Sequence, residues 1–183
     1  QLSLKLQAEG VAVMEGHWRP SIKRGPKERQ SNVEDPHGQT PRGSVSSFLK
    51  LGWLWLNWWV GWWKSIRKAR KRGVVIYDRY HVDLLVDPKR YRYGAAMGLA
   101  RLASRFMPQP DAVFYLDAPP DILLSRKQEL PLETLERFRE RYLDLSKATP
   151  NFVIIDATKP LAEVISEVDS KLRGLISQIH TRQ

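Results

Sequence analysis

The sequence predicts an α/β fold: a doubly wound parallel sheet with helices on both faces. Three observations predict it. Short apolar runs at residues 11–14, 74–77, 112–116 and 152–155 alternate with longer segments of helical period. The runs are nearly continuous in apolar residues, as expected of strands covered on both faces. Three of them end in an aspartate, Asp78, Asp117 and Asp156. These share one sheet edge, where ligands bind in open parallel sheets.

Taken in order, residues 1–9 read as the tail of a helix closed by Gly10. Residues 11–14 are then a short strand, and residues 15–20 a turn. A helix feeding a parallel strand normally follows another strand. None precedes it here and Gln1 is not a Met, so a chain truncated at its N-terminus, missing its first strand, is expected. Residues 21–43 form a long loop rich in Pro, Gly, Lys and Arg, able to close over a ligand.

Residues 44–72 read as one helix, with six of the seven Trp between Trp53 and Trp63. Lys50, Asn57, Gly61, Lys64 and Lys68 form one narrow polar stripe on an otherwise apolar surface. The apolar run from Leu51 to Trp63 is shorter than the ~18 residues a membrane span needs. A helix packed on the sheet is expected, and the surplus apolar surface suits a subunit interface. A membrane-surface contact edged by Lys64, Arg67, Lys68, Arg70, Lys71 and Arg72 is the other use for it. Further helices are expected over 95–106, over 121–127 after Pro119 and Pro120, and over 132–146 with Leu135, Phe138, Tyr142 and Leu145 inward. The last opens after Thr158 and Pro160 and carries Leu161, Val164, Ile165, Val168, Leu172 and Leu175 on one stripe.

A length of 183 residues fits a single domain over 1–183. The absence of Cys excludes disulfides and thiolate zinc sites and suits a cytoplasmic location. His17, His37, His81 and His180 have no metal-pair spacing. Of the net charge of +10, residues 1–72 carry +9 and the remainder +1. That asymmetry points to an anionic partner: nucleotide phosphates, a membrane surface or nucleic acid. Of these, nucleic acid is not expected.

Asp78-Arg79-Tyr80 is the sharpest candidate. The guanidinium forks onto phosphate oxygens, and the carboxylate holds a Mg²⁺ water or takes a hydroxyl proton. A strand-end salt bridge is the plain alternative. Arg126 and Lys127 end a helix before a short polar link able to fold down as a lid, and Arg137 and Arg139 lie on the next helix. Asp83 and Asp87 suit an acceptor hydroxyl, although Asp87 before Pro88 equally makes a turn. His17 and His81 read more readily as loop histidines than as catalysts. No G-x-x-x-x-G-K-[ST] loop for donor phosphates occurs in the chain.

These residues resemble a family. PDAVFYLDAPPDILLSRK, LERFRERYLDLS, FVIIDATKPLAEVISEV and Asp78-Arg79-Tyr80 are similar to motifs of the thymidylate kinase-like P-loop nucleoside monophosphate kinases. The likeness is good from Gly73 to about Leu172. It implies a P-loop NTPase-like fold and an ATP- and Mg²⁺-dependent phosphotransferase acting on a nucleotide or another small molecule. By that resemblance Asp78, Arg79 and Arg126 are catalytic, with Asp78 on the metal. Arg19, Tyr80, Asp83, Arg137 and Arg139 bind substrate, while Lys127, Ala157, Thr158, Lys159 and Pro160 border the donor nucleotide. Helix 46–72 corresponds to one that forms the family's homodimer. The chain departs from the family at His81–Asp87 and at His17-Trp18-Arg19-Pro20, which leaves the acceptor open. The competing readings are a non-catalytic kinase-fold binding module and a peripheral membrane or partner-binding protein using the Trp-rich basic helix. The 183-residue piece alone is expected to show no phosphotransfer.

Overall fold

The computed structural model describes residues 1–18, 40–126, 130–149 and 151–181. Two compact units divide the chain, Ser3–Pro108 and Gln109–Gln183 with Gln1–Leu2. Each contains one parallel two-stranded ladder.

In the first unit, helix α1 (Leu2–Ala8) ends at Gly10, whose φ of 81° is the left-handed conformation that glycine adopts without a Cβ clash. The Gly10 N–H donates to the Gln7 carbonyl and the Val11 N–H to that of Leu6, each at 3.0 Å. This is the paired closure that satisfies a helix's last carbonyls. Strand β1 (Ala12–His17) pairs in parallel with β2 (Gly73–Asp78), in register from Ala12↔Gly73 to His17↔Asp78. Glu15, Gly16 and His17, expected in a turn, are therefore strand: Ile76, Tyr77 and Asp78 of β2 hold them in the ladder. A Cβ on Gly73 would lie 2.0 Å from the Ala12 carbonyl oxygen, so this end of the ladder closes only around glycine.

The helix expected over 44–72 is present and continuous to Arg70, with one π turn inside it and helical backbone at both junctions. Helix α2 (Ser44–Gly61) passes into a π turn (Trp62–Ile66) and then into α3 (Arg67–Arg70). Its orientation corrects the expectation. Asn57 and Gly61, read as part of an outward polar stripe, are buried with Ser47, Leu51, Leu54 and Trp58. Lys50 bonds the Tyr91 carbonyl at 2.9 Å. Val45, Phe48, Leu49, Trp53, Leu56 and Trp63 are exposed instead. Small residues let the helix approach its neighbours closely, and Leu51, Leu54 and Trp58 fill the space between them. Leu54, Trp58, Ile66 and Met107 form one core cluster, with Val75, Tyr77 and Tyr80 packed against it. Leu51, Leu84, Tyr93 and Ala100 form another around helices α4 (His81–Val86) and α5 (Met97–Arg105).

In the second unit, β3 (Val113–Asp117) pairs in parallel with β4 (Phe152–Asp156), Asp117 opposite Asp156. Helices α6 (Pro120–Arg126), α7 (Leu132–Ala148) and α8 (Leu161–Thr181) accompany it. Tyr115 stacks on Tyr142 of α7 at 4.6 Å between ring centres. Ile155 and Val164 are buried, but Leu116 is 53% exposed and Ile154 44%. The sequence predicted strands covered on both faces; in this ladder Leu116 and Ile154, which point to opposite faces, are both exposed.

Candidate functional site

The two strands of the first unit end side by side in His17 and Asp78. His17 Nδ1 lies 2.8 Å from Asp78 Oδ2, and the carboxylate side chain is 75% exposed. One residue further on, both chains turn left-handed, with φ of 59° at Trp18 and 69° at Arg79. Neither is glycine, and the conformation costs roughly 1–2 kcal/mol per residue. The surroundings hold it there. The Trp18 N–H donates to the Asp78 carbonyl at 2.8 Å. On the far side of Arg79, the Tyr80 N–H donates to Asp83 Oδ2 at 2.7 Å and the Tyr80 hydroxyl to the Pro108 carbonyl. The Tyr80 ring meets Trp58 edge-on at 4.2 Å. Burial, with a smaller contribution from Tyr77, raises the Tyr80 phenol well above its usual range and keeps it a donor.

Tyr80 and Asp83, candidate substrate ligands from the sequence, thus have structural duties. Asp83 caps α4 and Tyr80 anchors the turn that presents Arg79. Asp83 sits at the third position of a short helix that the sequence reading did not predict. Sequence reasoning also passed over Trp18 and Tyr91, whose rings stack at 4.0 Å. The Tyr91 hydroxyl is buried with no hydrogen-bond partner among the described residues. Its phenol is raised by desolvation first and then by Asp83, with Arg79 and Arg90 opposing. A Trp beside a basic loop and a Tyr in an Arg-rich turn were the only signals available. Arg19 lies outside the described residues.

In the second unit, Arg139 Nε and Nη2 donate to the two oxygens of Asp117, each at 2.8 Å. Those bonds are the first cause of a carboxyl held below its ordinary range. Arg126 Nη1 donates to the Ala157 carbonyl at 2.9 Å and Nη2 to that of Thr158 at 3.5 Å, so this arginine and the segment expected to border the donor nucleotide do come together. The Thr158 N–H and hydroxyl both bond Asp156 Oδ1, at 2.9 and 2.6 Å, and lower that carboxyl. Lys159 pairs with Glu167 at 3.0 Å, and Pro160 opens α8. Arg137 is exposed on α7. Lys127 lies outside the described residues. Asp78, Arg79, Tyr80 and Asp83 are thus neighbours in one unit, and Arg126, Arg139 and Ala157–Pro160 belong to the other. Among the described residues no three His, Asp or Glu converge as a metal-holding group.

Parallel ladders flanked by helices, with three of the four strands ending in an aspartate, define an α/β chain. A solved thymidylate kinase from Ehrlichia chaffeensis shares the fold, with a TM-score of 0.58 over 93% of this chain and 87% of that one, at 18% identity. The thymidylate kinase family model matches residues 59–168. The chain belongs to the thymidylate kinase family. A probable thymidylate kinase 1 of Saccharolobus solfataricus is 30% identical over 118 residues, 59% of this chain and 57% of that protein. The thymidylate kinase of Thermosipho africanus is 41% identical over 69 residues, 33% and 34% of the respective chains. The chain thus spans about half or less of the length of these curated relatives.

Proposed function

We propose that this chain carries the acceptor-phosphate and adenine-side elements of a nucleoside monophosphate kinase-type phosphotransferase that uses ATP and Mg²⁺. The observation that carries the reading is Arg79, locked in a left-handed turn directly after the exposed Asp78 at the end of β2. Strained backbone outside glycine concentrates at functional sites. A guanidinium presented at a strand end suits a phosphate dianion. Mg²⁺ takes few protein carboxylates and keeps water and phosphate oxygens as its other ligands, so a single exposed Asp78 fits it better than a closed cage would. Bound ATP supplies the phosphoryl group. Ala157–Pro160, braced by Arg126, would line its adenine, with Lys127 nearby in sequence.

The names of the relatives support a nucleotide acceptor such as thymidine monophosphate. The departures around Trp18 and His81–Asp87 widen the class to other small phosphorylated or hydroxylated molecules. Arg19, Arg137 and Arg139 are assigned to the acceptor side, Arg139 once freed from Asp117. The reading places both units in one domain of a cytoplasmic enzyme. A second copy of the chain and a membrane surface compete for the exposed face of α2.

The test is turnover of Mg²⁺-ATP by the native protein with a panel of nucleoside monophosphates. Product with at least one acceptor, lost in Arg79→Ala, is expected. Unchanged turnover in that variant removes Arg79 from the site and sinks the proposal; no turnover with any acceptor sinks it too and leaves a non-catalytic binding module.

A further inference from the structure

Arg79 sits between two pinned peptide planes. On one side the Asp78 carbonyl accepts the Trp18 N–H at 2.8 Å. On the other the Tyr80 N–H donates to Asp83 Oδ2 at 2.7 Å. Each peptide unit is rigid, so fixing both fixes the backbone angles of the residue between them. Arg79 is held in this way at φ 69°. The Asp83 pin is local in the chain. The Trp18 pin comes from the other strand, and Trp18 is itself left-handed at φ 59°. It needs a hold of its own.

Tyr91 supplies that hold. Its ring lies over the Trp18 ring, with centres 4.0 Å apart and planes at 17°. The turn that carries Tyr91 is fixed in turn. Lys50 Nζ donates to the Tyr91 carbonyl at 2.9 Å, the Arg90 N–H to Asp87 Oδ1 at 3.1 Å and the Tyr93 N–H to the Pro88 carbonyl at 2.9 Å. Trp18 packs against two core clusters, the one around Leu51 and Leu84 and the one around Leu54 and Trp58. After desolvation, the charges acting on the Tyr91 hydroxyl are those of Asp83, Arg79, Arg90 and Asp87. The stack thus lies near the Arg79 guanidinium as well as behind its backbone.

We infer that the Trp18–Tyr91 stack positions the acceptor-phosphate arginine: Tyr91 holds Trp18, and Trp18 holds the peptide that aims Arg79. The inference rests on the reading of Arg79 as the phosphate-binding residue. It makes Tyr91 a positioning residue that acts through its ring. The Tyr91 hydroxyl is buried without a hydrogen-bond partner among the described residues, so its removal breaks no bond there. The stack also joins the two places where the chain leaves the family motifs. Trp18 belongs to one, and Tyr91 lies in the turn that follows the other.

Titration of the native protein with inorganic phosphate, followed by phosphorus NMR, tests the inference. Arg79→Ala should weaken binding at least roughly tenfold, the scale of a charge-assisted hydrogen bond. Tyr91→Leu fills the space but cannot stack, and should weaken binding by a similar factor. Tyr91→Phe keeps the ring and should retain affinity within about twofold of the parent. Trp18→Gly gives a second route should Tyr91→Leu fail to fold. Glycine accepts the left-handed backbone and keeps the N–H, so only the ring is lost, and phosphate affinity should fall as in Tyr91→Leu. Combined with Arg79→Ala, neither variant should weaken binding further, because a positioning residue acts only through the group it positions.

Parental affinity in Tyr91→Leu and Trp18→Gly, with Arg79→Ala still weakened, overturns the inference and leaves Arg79 on the phosphate. Equal weakening in Tyr91→Phe and Tyr91→Leu overturns it too, since the hydroxyl then matters and the stack does not. So does a further loss on adding Tyr91→Leu to Arg79→Ala, which assigns Tyr91 to the fold alone. Phosphate binding that is absent, or indifferent to Arg79→Ala, overturns both this inference and the reading beneath it.

Discussion

Asp117 and Arg139 face each other through two parallel hydrogen bonds of 2.8 Å, joining the end of β3 to the middle of α7. Paired donors of this kind are stronger than single charged contacts. Partial exposure tempers the gain, so Arg139→Ala should cost about 1 kcal/mol in urea unfolding. The Asp117 carboxyl is held below its unfolded value, chiefly by these bonds. Its contribution is therefore complete above the unfolded pKa and disappears as pH falls through the folded one. The acid limb of a stability–pH curve should be shallower in Arg139→Ala than in the parent, and identical limbs would refute this account.

His81 behaves in the opposite chemical sense but the same direction of pH. It is buried, its Nδ1 lies 2.6 Å from Ser104 Oγ, and its Nε2 has no partner among the described residues. Desolvation lowers its pKa from 6.5 to about 4. Between those values the unfolded state binds the proton and the folded state does not. Stability is thus whole above pH 6.5 and falls towards pH 4, by about 3 kcal/mol. In His81→Gln that segment of the curve should flatten.

Tyr80→Phe removes one buried hydroxyl whose acceptor is the Pro108 carbonyl. A loss of about 1 kcal/mol is expected, because the carbonyl is left without this donor. If Tyr80 instead served mainly as a ligand, stability would hold and only acceptor affinity would drop. Denaturant titration beside nucleotide titration separates the two.

Asp78→Asn should show the reverse profile. The carboxylate is mostly exposed and its contact with His17 lies at the surface, so stability should shift by less than ~0.5 kcal/mol. Turnover in the native protein should fall roughly 100-fold or more, as it does when a charge-stabilising group is lost. A destabilised but active variant would assign Asp78 to the fold alone.

The sequence made the strand-end aspartates legible because strand and terminal residue are contiguous: Asp78, Asp117 and Asp156 were found from local pattern alone. The helices over 97–105 and 132–148 followed from period for the same reason. What pairs with each aspartate was not legible. His17 reaches Asp78 across 61 residues and Arg139 reaches Asp117 across 22, and only the fold sets those contacts. The face of α2 was misjudged on physical grounds: polarity sends Asn57 and Gly61 outward, whereas close packing draws small residues in. The left-handed backbone at Trp18 and Arg79 leaves no mark in a sequence without glycine at those places.

Gly73 has a consequence for selection experiments. Because even a methyl group there would press into the Ala12 carbonyl, a saturation library at this codon should return only the parental residue wherever β1 and β2 must pair. Survivors carrying any other residue would report clones in which that pairing is dispensable. Position 73 is therefore a genetic reporter of whether the ladder that ends in Asp78 matters to the cell.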